Sequence, residues 1–353
     1  MSRQSKNVAR SFVHGARVLP PVLVDSFNVE LRDGEAFLGD RASSGAFFEI
    51  LADLRQSLRA RGDDPLGEDD IDEFGKAELD AILLGHDLEA AALVQAAIER
   101  FASELFAVIR RFLQRDDWKG TERIVVGGGF RRGRIGELAI GRAEIALKED
   151  GARIELVPIS HHPDEAALIG AAYLPPARLL KGHSAILGVD IGGSNIRAGL
   201  VRVGSKKNPD PARAKVIRKQ HWRHAEDAPD RDEAVERLID MLRRLIDRAE
   251  KEELALAPVV GIGCPGLIEE DGRIARGGQN LPGDWESSRF NLPEVLRRSI
   301  PEIAGRQTTV LMHNDAVVQG LSEAPAMADI RRWGVLTIGT GLGNARFTNR
   351  MAD

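Results

Sequence analysis

Two aspartates stand where apolar runs end, and each could do chemistry there. Asp190 closes the apolar half of AILGVDIGGSNIRAGLV (185–201), and Asp315 follows TTVLMHN (308–314). In open α/β folds ligands gather at the carboxyl ends of strands, so both carboxylates are placed for binding or catalysis. Asp315 could take the proton of a substrate hydroxyl that attacks a γ-phosphate. It could equally cap the helical pattern that begins at Ala316. Asp190 suits a hydrated Mg²⁺, which keeps waters and takes few carboxylates. The plainer reading makes it the turn former of a hairpin.

Glycines surround these acids. Gly192, Gly193 and Ser194 follow Asp190, and glycine lets backbone N–H groups approach a phosphate without obstruction. The segment VLTIGTGLGNARF (335–347) repeats the strand–turn–strand pattern with Gly339, Thr340, Gly341 and Gly343. A short strand follows it instead of a long helix, so it is no dinucleotide fingerprint, and no Lys-Ser or Lys-Thr closes it as a Walker loop. A phosphate loop and a tight hairpin both remain open. A third turn, RIVVGGGFRRG (123–133), carries Gly127, Gly128 and Gly129, either against an adenine or ribose or as a plain strand-to-helix turn. The loops GIGCPGLIEEDGRI (261–274) and GGQNLPGDW (277–285) offer Pro265, Gly266, Asn280 and Asp284. The amide and carboxylate suit sugar hydroxyls, with Trp285 as an apolar wall, although such loops are often only connections. His313 stands beside Asn314 and is expected to face the same place. No histidine pair has metal-ligand spacing, so no zinc is expected.

The elements that must hold these residues alternate in type. Strands are expected at Arg123–Val126, Ile154–Pro158, Ala185–Asp190, Ile196–Val203, Val259–Gly263, Thr308–Met312 and Val335–Ile338. Apolar residues at helical spacing predict a long helix from about Leu88 to Leu113 and another over about 232–248. Such alternation argues for an α/β architecture. The chain's 353 residues suffice for two domains. Its charged fraction of 29% and net charge of −5 are interspersed, without a basic stripe for nucleic acid. The single cysteine, Cys264, excludes a disulfide framework within one chain and fits a reducing cytoplasm. No run reaches the roughly 18 apolar residues of a membrane span. Residues 1–20, basic but without an apolar signal core, are expected to form a flexible tail.

Taken together the segments resemble the ROK family of bacterial sugar kinases and repressors, within the actin/hexokinase-like ATPase fold. GVDIGGSNIRAGLV is similar to that family's first phosphate loop, and LTIGTGLGNARF to its second. GCPGLIEEDGRI with NLPGDW resembles its sugar-side loops, and HNDAVVQGLSE the segment of its catalytic aspartate. RIVVGGGF, with PDEAALIGAAYL (163–174), resembles its adenosine region, and SSGAFFEIL (43–51) the part before it. The resemblance implies Asp315 as general base, with Asn280, Asn314, Pro265 and Gly266 on the sugar side. Asp190 would orient Mg²⁺ through water, and the glycine loops would cradle ATP. A cytoplasmic homodimer with sugar and nucleotide as its small-molecule partners is further implied, with no nucleic acid or membrane.

The order of the segments departs from the family's. The family opens on the first phosphate loop and closes on the adenosine region, whereas here the adenosine-like region comes first. A circular permutation accounts for this, because chain ends often lie close together at the surface. The old termini would join through Pro175–Ser184, and the new ones would be cut just past the second loop. The expected domains are a larger one at 21–174 with 326–353, a linker at 175–184, and a smaller one at 185–325. The chain end after Arg346–Asn349 should then lie near the strand-like Val22–Leu31. The family's Glu-x-Gly-His and cysteine-rich zinc loop should fall near residues 10–45, where LVDSFNVELRDGEAFLGDRASSG contains neither. Glu30 or Glu35 are the carboxylates there. Three functions follow: an ATP- and Mg²⁺-dependent sugar kinase, a sugar or nucleotide sensor of the same fold without turnover, or an actin-like ATPase acting on something other than a sugar.

Overall fold

The computed structural model describes residues 13–131 and 133–350. Its main strands are β1 (Val22–Phe27), β2 (Arg123–Gly127), β3 (Glu155–Pro158), β4 (Ala185–Ile191), β5 (Ile196–Arg202) and β6 (Lys215–Trp222). These are followed by β7 (Leu256–Cys264), β8 (Thr309–Asn314), β9 (Arg332–Ile338) and β10 (Leu342–Asn349). The larger helices are α1 (Ser44–Arg59), α2 (Lys76–Leu83), α3 (Leu88–Leu113), α4 (Arg134–Glu149), α5 (Pro163–Gly170), α6 (Arg231–Lys251), α7 (Leu292–Ser299) and α8 (Asp315–Leu321). All seven strands expected from the sequence form, and both expected helices do. β6, exposed or half-buried up to the buried Trp222 at its end, lacks the apolar run that marks the others.

Two five-stranded sheets share one strand order. The first runs β8-β7-β4-β5-β6 and the second β1-β10-β9-β2-β3. In the first, β4 is central; β5 and β6 follow antiparallel on one side, and β7 and β8 lie parallel on the other. In the second, β9 is central, with β10 and then β1 on one side and the parallel pair β2 and β3 on the other. To follow the first sheet's path through the second, one passes from β10 near the chain's end to β1 near its start.

Contacts divide the chain into two units: 1–28 with 164–331 and 347–353, and 29–163 with 332–346. In the first, α6 buries Leu238, Leu242 and Leu245 beneath the sheet, and a capping box between Asp230 and Glu233 starts it. Residues 13–17, expected in a tail, are held here along the edge strand β8. Gly15 N–H donates to Met312 O at 3.0 Å, and Met312 N–H donates to His14 Nδ1 at 3.1 Å. The remainder of that expected tail, 1–12, lies outside the described residues. Arg350 N–H donates to Pro21 O at 3.0 Å, and Thr348 Oγ1 donates to Asp25 Oδ2 at 2.8 Å. Position 350 thus abuts Pro21, just before β1.

In the second unit α3 supplies the core. Asp87 caps it by accepting from Glu89 and Ala90 N–H, and Phe101, Leu105, Ile109 and Phe112 lie fully inside. Phe101 packs against Phe130, the residue after the Gly127–Gly129 turn, with ring centroids 4.5 Å apart. The core therefore fixes where that turn leaves the sheet.

Candidate active site

In the first unit, three neighbouring parallel strands deliver their carboxyl ends together. Asp190 of β4 stands in register with Gly263 of β7, and Cys264 of β7 with Asn314 of β8. Asp315 follows Asn314 as the first residue of α8. Gly263 leaves room for this: a Cβ there would sit 3.5 Å from Asp315 Cα and 3.2 Å from Val318 Cβ. The pairing of Asp190, Gly263, Cys264 and Asp315 is a product of the strand register.

The Asp190 charge acts on Asp315. Burial pushes the Asp315 carboxyl up to about 6, and the Asp190 charge adds to the rise. Burial also raises Asp190, and Arg197 opposes that rise. Cys264 lies between, buried, and desolvation together with both acids keeps its thiol well above the usual range. A thiolate nucleophile is excluded at this position by that environment.

Asn314, not Asp315, caps α8. Its Oδ1 accepts from Ala316 N–H at 3.0 Å and Val317 N–H at 3.3 Å. Its Nδ2 donates to Gly266 O at 3.0 Å, and the side chain is 1% exposed. Asn314, expected at the sugar, is thus committed to the fold: a short side chain at a strand-to-helix junction finds orphan N–H groups first. Asp315 is left half-buried, with Oδ1 accepting from Ala316 N–H at 2.9 Å.

The loop after Asp190 is fastened from behind. His224 Nε2 donates to Gly192 O at 2.8 Å, and Asn195 Oδ1 accepts from His221 Nε2 at 2.7 Å. Gly193 lies against Asn280, where a Cβ would come within 3.0 Å of the Asn280 Cβ. Asn280 is exposed, so its amide is available. Gly266 has φ +97°, and a Cβ there would fall 2.5 Å from Arg276 O, so this turn admits glycine alone. Pro265 precedes it, half-buried.

Three expectations change here. Trp285 is 1% exposed, donating from Nε1 to Pro282 O at 2.7 Å, and is a core residue instead of a wall. Asp284 is turned to its own loop, where Oδ1 accepts from Glu286 N–H at 3.1 Å. His313 faces inward: its Nε2 donates to Ala16 O at 3.1 Å and its ring meets Phe27 edge-on.

Arg197 and Asp164 belong to this site and were not expected from sequence. Arg197 donates from Nη1 to Asp190 at 3.0 Å and pairs through Nη2 with Asp164 of α5 at 2.8 Å. Arg197 lies directly across the β4–β5 hairpin from Asp190, so counting outward from the turn would have found it. Asp164 comes from a distant segment and left no such signal.

In the second unit the two glycine turns lie side by side. Thr337 of β9 pairs with Gly127 of β2, and a Cβ on Gly128 would sit 2.4 Å from Ile338 O. Gly128 also has φ +85°, so glycine is required twice over. Gly339 N–H donates to Gly341 O at 3.0 Å, which closes a tight turn around Thr340, and Gly343 enters β10. Ser44, at the start of α1, donates its N–H to Gly339 O at 2.8 Å. Around Gly129 and Gly341 a Cβ would meet nothing within 4 Å, so backbone stands open at both turns. Glu30, in the same unit, is paired with Arg32 at 3.6 Å, and Glu35 is exposed.

The family model that matches this sequence is the ROK family, over residues 186–352. Over that span, a little under half of the chain, the sequence is similar to the ROK family. That match carries the actin-like ATPase fold, whose mixed sheets with covering helices are those described above. Among curated proteins none matches. Solved structures similar to the chain include the Lmo2764 protein of Listeria monocytogenes, 23% identical, covering 47% of each chain at a TM-score of 0.35. The ROK hexokinase of Thermus thermophilus is 22% identical over 45% of each chain, with a TM-score of 0.29. An exopolyphosphatase of Cytophaga hutchinsonii is 16% identical over 54% of this chain and 55% of its own, with a TM-score of 0.25. The chain thus spans about half the length of these structures. Among the described residues no single helix is long and apolar enough to cross a membrane.

Proposed function

We propose that this ROK protein is a cytoplasmic kinase that transfers the γ-phosphoryl group of ATP to a sugar hydroxyl. The observation that carries the reading is the Asp315 carboxyl, half-buried at a strand end, with its ordinary acidity shifted up to about 6 beside Asp190. A base of that strength is ionised at neutral pH yet still takes a proton from a hydroxyl as it attacks. Asn280, exposed against Gly193, would hold sugar hydroxyls, and the Pro265–Gly266 turn would serve the same side.

Mg²⁺ fits the donor set, because burial raises both carboxyls and the Asp190 charge raises Asp315 further, a penalty that a cation held through water relieves. Asp190 is the residue to hold it, and Arg197 keeps that carboxylate oriented. When bound, the ion neutralises charge on the transferring phosphoryl group. In the first unit the Gly192–Ser194 loop suits a phosphate through its backbone N–H groups; in the second the Gly339–Gly343 loop suits a phosphate likewise and the Gly127–Gly129 turn an adenosine. Such transfer needs chiefly positioning and charge neutralisation.

We further infer that the chain is a circular permutation of the family's order. What supports this is the shared strand order of the two sheets, which in the second runs from β10 to β1. The family span agrees with it, beginning in β4 and ending after β10.

A sensor without turnover is the second reading, favoured by Asn314, whose amide is engaged in capping α8 and in the bond to Gly266. ADP release by purified protein with ATP, Mg²⁺ and a panel of hexoses separates the two. Release that Asp315→Ala abolishes supports the kinase. Binding of sugar or nucleotide by calorimetry, with release at background for both proteins, selects the sensor.

A further inference from the structure

A phosphate cradle built from glycine turns offers backbone dipoles but no full positive charge, and neither turn in the second unit contains a lysine. A lysine nevertheless stands beside both. Lys76, the first residue of α2, donates from Nζ to Ser44 Oγ at 3.2 Å. Ser44 is the residue whose N–H holds Gly339 O at 2.8 Å. The same ammonium lies 5.3 Å from the centroid of the Phe130 ring, and Phe130 directly follows Gly127–Gly129. One cation therefore touches the residue clamped to one glycine turn and the ring that ends the other. Its stem is half-buried, so the charge is presented from a fixed place instead of trailing in solvent.

The open backbone at Gly129 and Gly341 lies in the same two turns that Lys76 joins. We infer that Lys76 is a nucleotide-binding residue that supplies its ammonium to the polyphosphate held by the Gly339–Gly343 and Gly127–Gly129 turns. An ammonium is a compact point charge with rotatable donors, so it can serve a phosphate oxygen as well as a neighbouring side chain. The inference rests on the nucleotide reading given above. It adds a charged group drawn from a segment, FGKAELD (74–80), that no glycine motif contains.

The test is calorimetric binding of ADP, ATP and adenosine to wild type, Lys76→Met and Lys76→Arg, without sugar. Methionine keeps the apolar stem against Phe130, so folding is preserved, which thermal melting checks. The expected result is a tenfold or greater loss of ADP and ATP affinity in Lys76→Met, with adenosine affinity unchanged. Lys76→Arg should recover most of the loss, and the wild-type advantage should shrink as salt is raised. Equal ADP affinity in Lys76→Met and wild type would overturn the inference. So would a matched loss for ADP and adenosine, which marks a structural role. A wild type that binds none of the three would instead remove the nucleotide reading itself, and this inference with it.

Discussion

At the scale of the residue, Asp315 is the group whose surroundings matter most. Its folded acidity lies at about 6, above the usual carboxylate range, because burial and Asp190 disfavour the charge. A raised folded value means the protonated form is the one favoured by folding. That advantage is complete below the unfolded value near 3.9 and is lost as pH rises through about 6. In chelator-treated protein, Asp315→Asn should therefore stabilise the fold at pH 7.5 by on the order of 2 kcal/mol and leave it unchanged near pH 4. Denaturant melts at both values check this. The same substitution should lower kcat by about 10²- to 10⁴-fold, while wild-type kcat/KM climbs with pH through about 6. A gain in stability with a loss of turnover is what a working base in an unfavourable place produces.

At the scale of the element, the glycine turns separate into those the fold requires and those it merely permits. Gly128→Val meets both a positive φ and the Ile338 carbonyl at 2.4 Å, and should cost about 2 kcal/mol or more in thermal or denaturant unfolding. Gly341→Val enters open space, so it should melt near wild type while weakening ADP binding several-fold in calorimetry. The strap formed by residues 13–17 makes a different prediction. Burial holds His14 and His313 neutral, each lowered to about 4, with Arg297 also lowering His14 and Asp271 partly offsetting it. Their contribution is present above about 6.5 and lost as pH falls toward 4. The melting midpoint should drop by several degrees between pH 6.5 and 4.5, and a His313→Gln variant should drop less.

At the scale of the whole molecule, the proposed permutation makes the position of the cut a matter of chain connectivity and not of packing. Arg350 N–H already reaches Pro21 O at 3.0 Å. A variant that links residue 350 to residue 21 through a short Gly-Ser spacer and opens the chain within 177–183 should fold cooperatively, with calorimetric ADP binding within a few-fold of the parent. Residues 13–17 are lost from β8 in that design, so a companion carrying them in the link keeps strap and connectivity apart. Failure of both to fold would count against a simple exchange of termini.

Much of this protein was legible in its sequence because its strongest signals are local. Apolar runs interrupted by glycine fix strand, turn and strand at 185–201 and 335–347 through covalent geometry alone, and the 3.6-residue spacing over Leu88–Leu113 fixes α3. The same runs placed Asp190 and Asp315 at strand ends. Tertiary structure decided which partners those residues meet. Asn314 could have turned to a ligand, but the unpaired N–H groups at the start of α8 lie nearer and claim its oxygen. Trp285 reads as an exposed loop residue until the core closes over it, and Lys76 reads as an ordinary first residue of a helix until α2 sets it beside Ser44 and Phe130. Asp164 meets Arg197 only because α5 returns to the β4–β5 hairpin. Contacts between residues far apart in the chain depend on how elements pack, and spacing along the sequence carries no record of that packing.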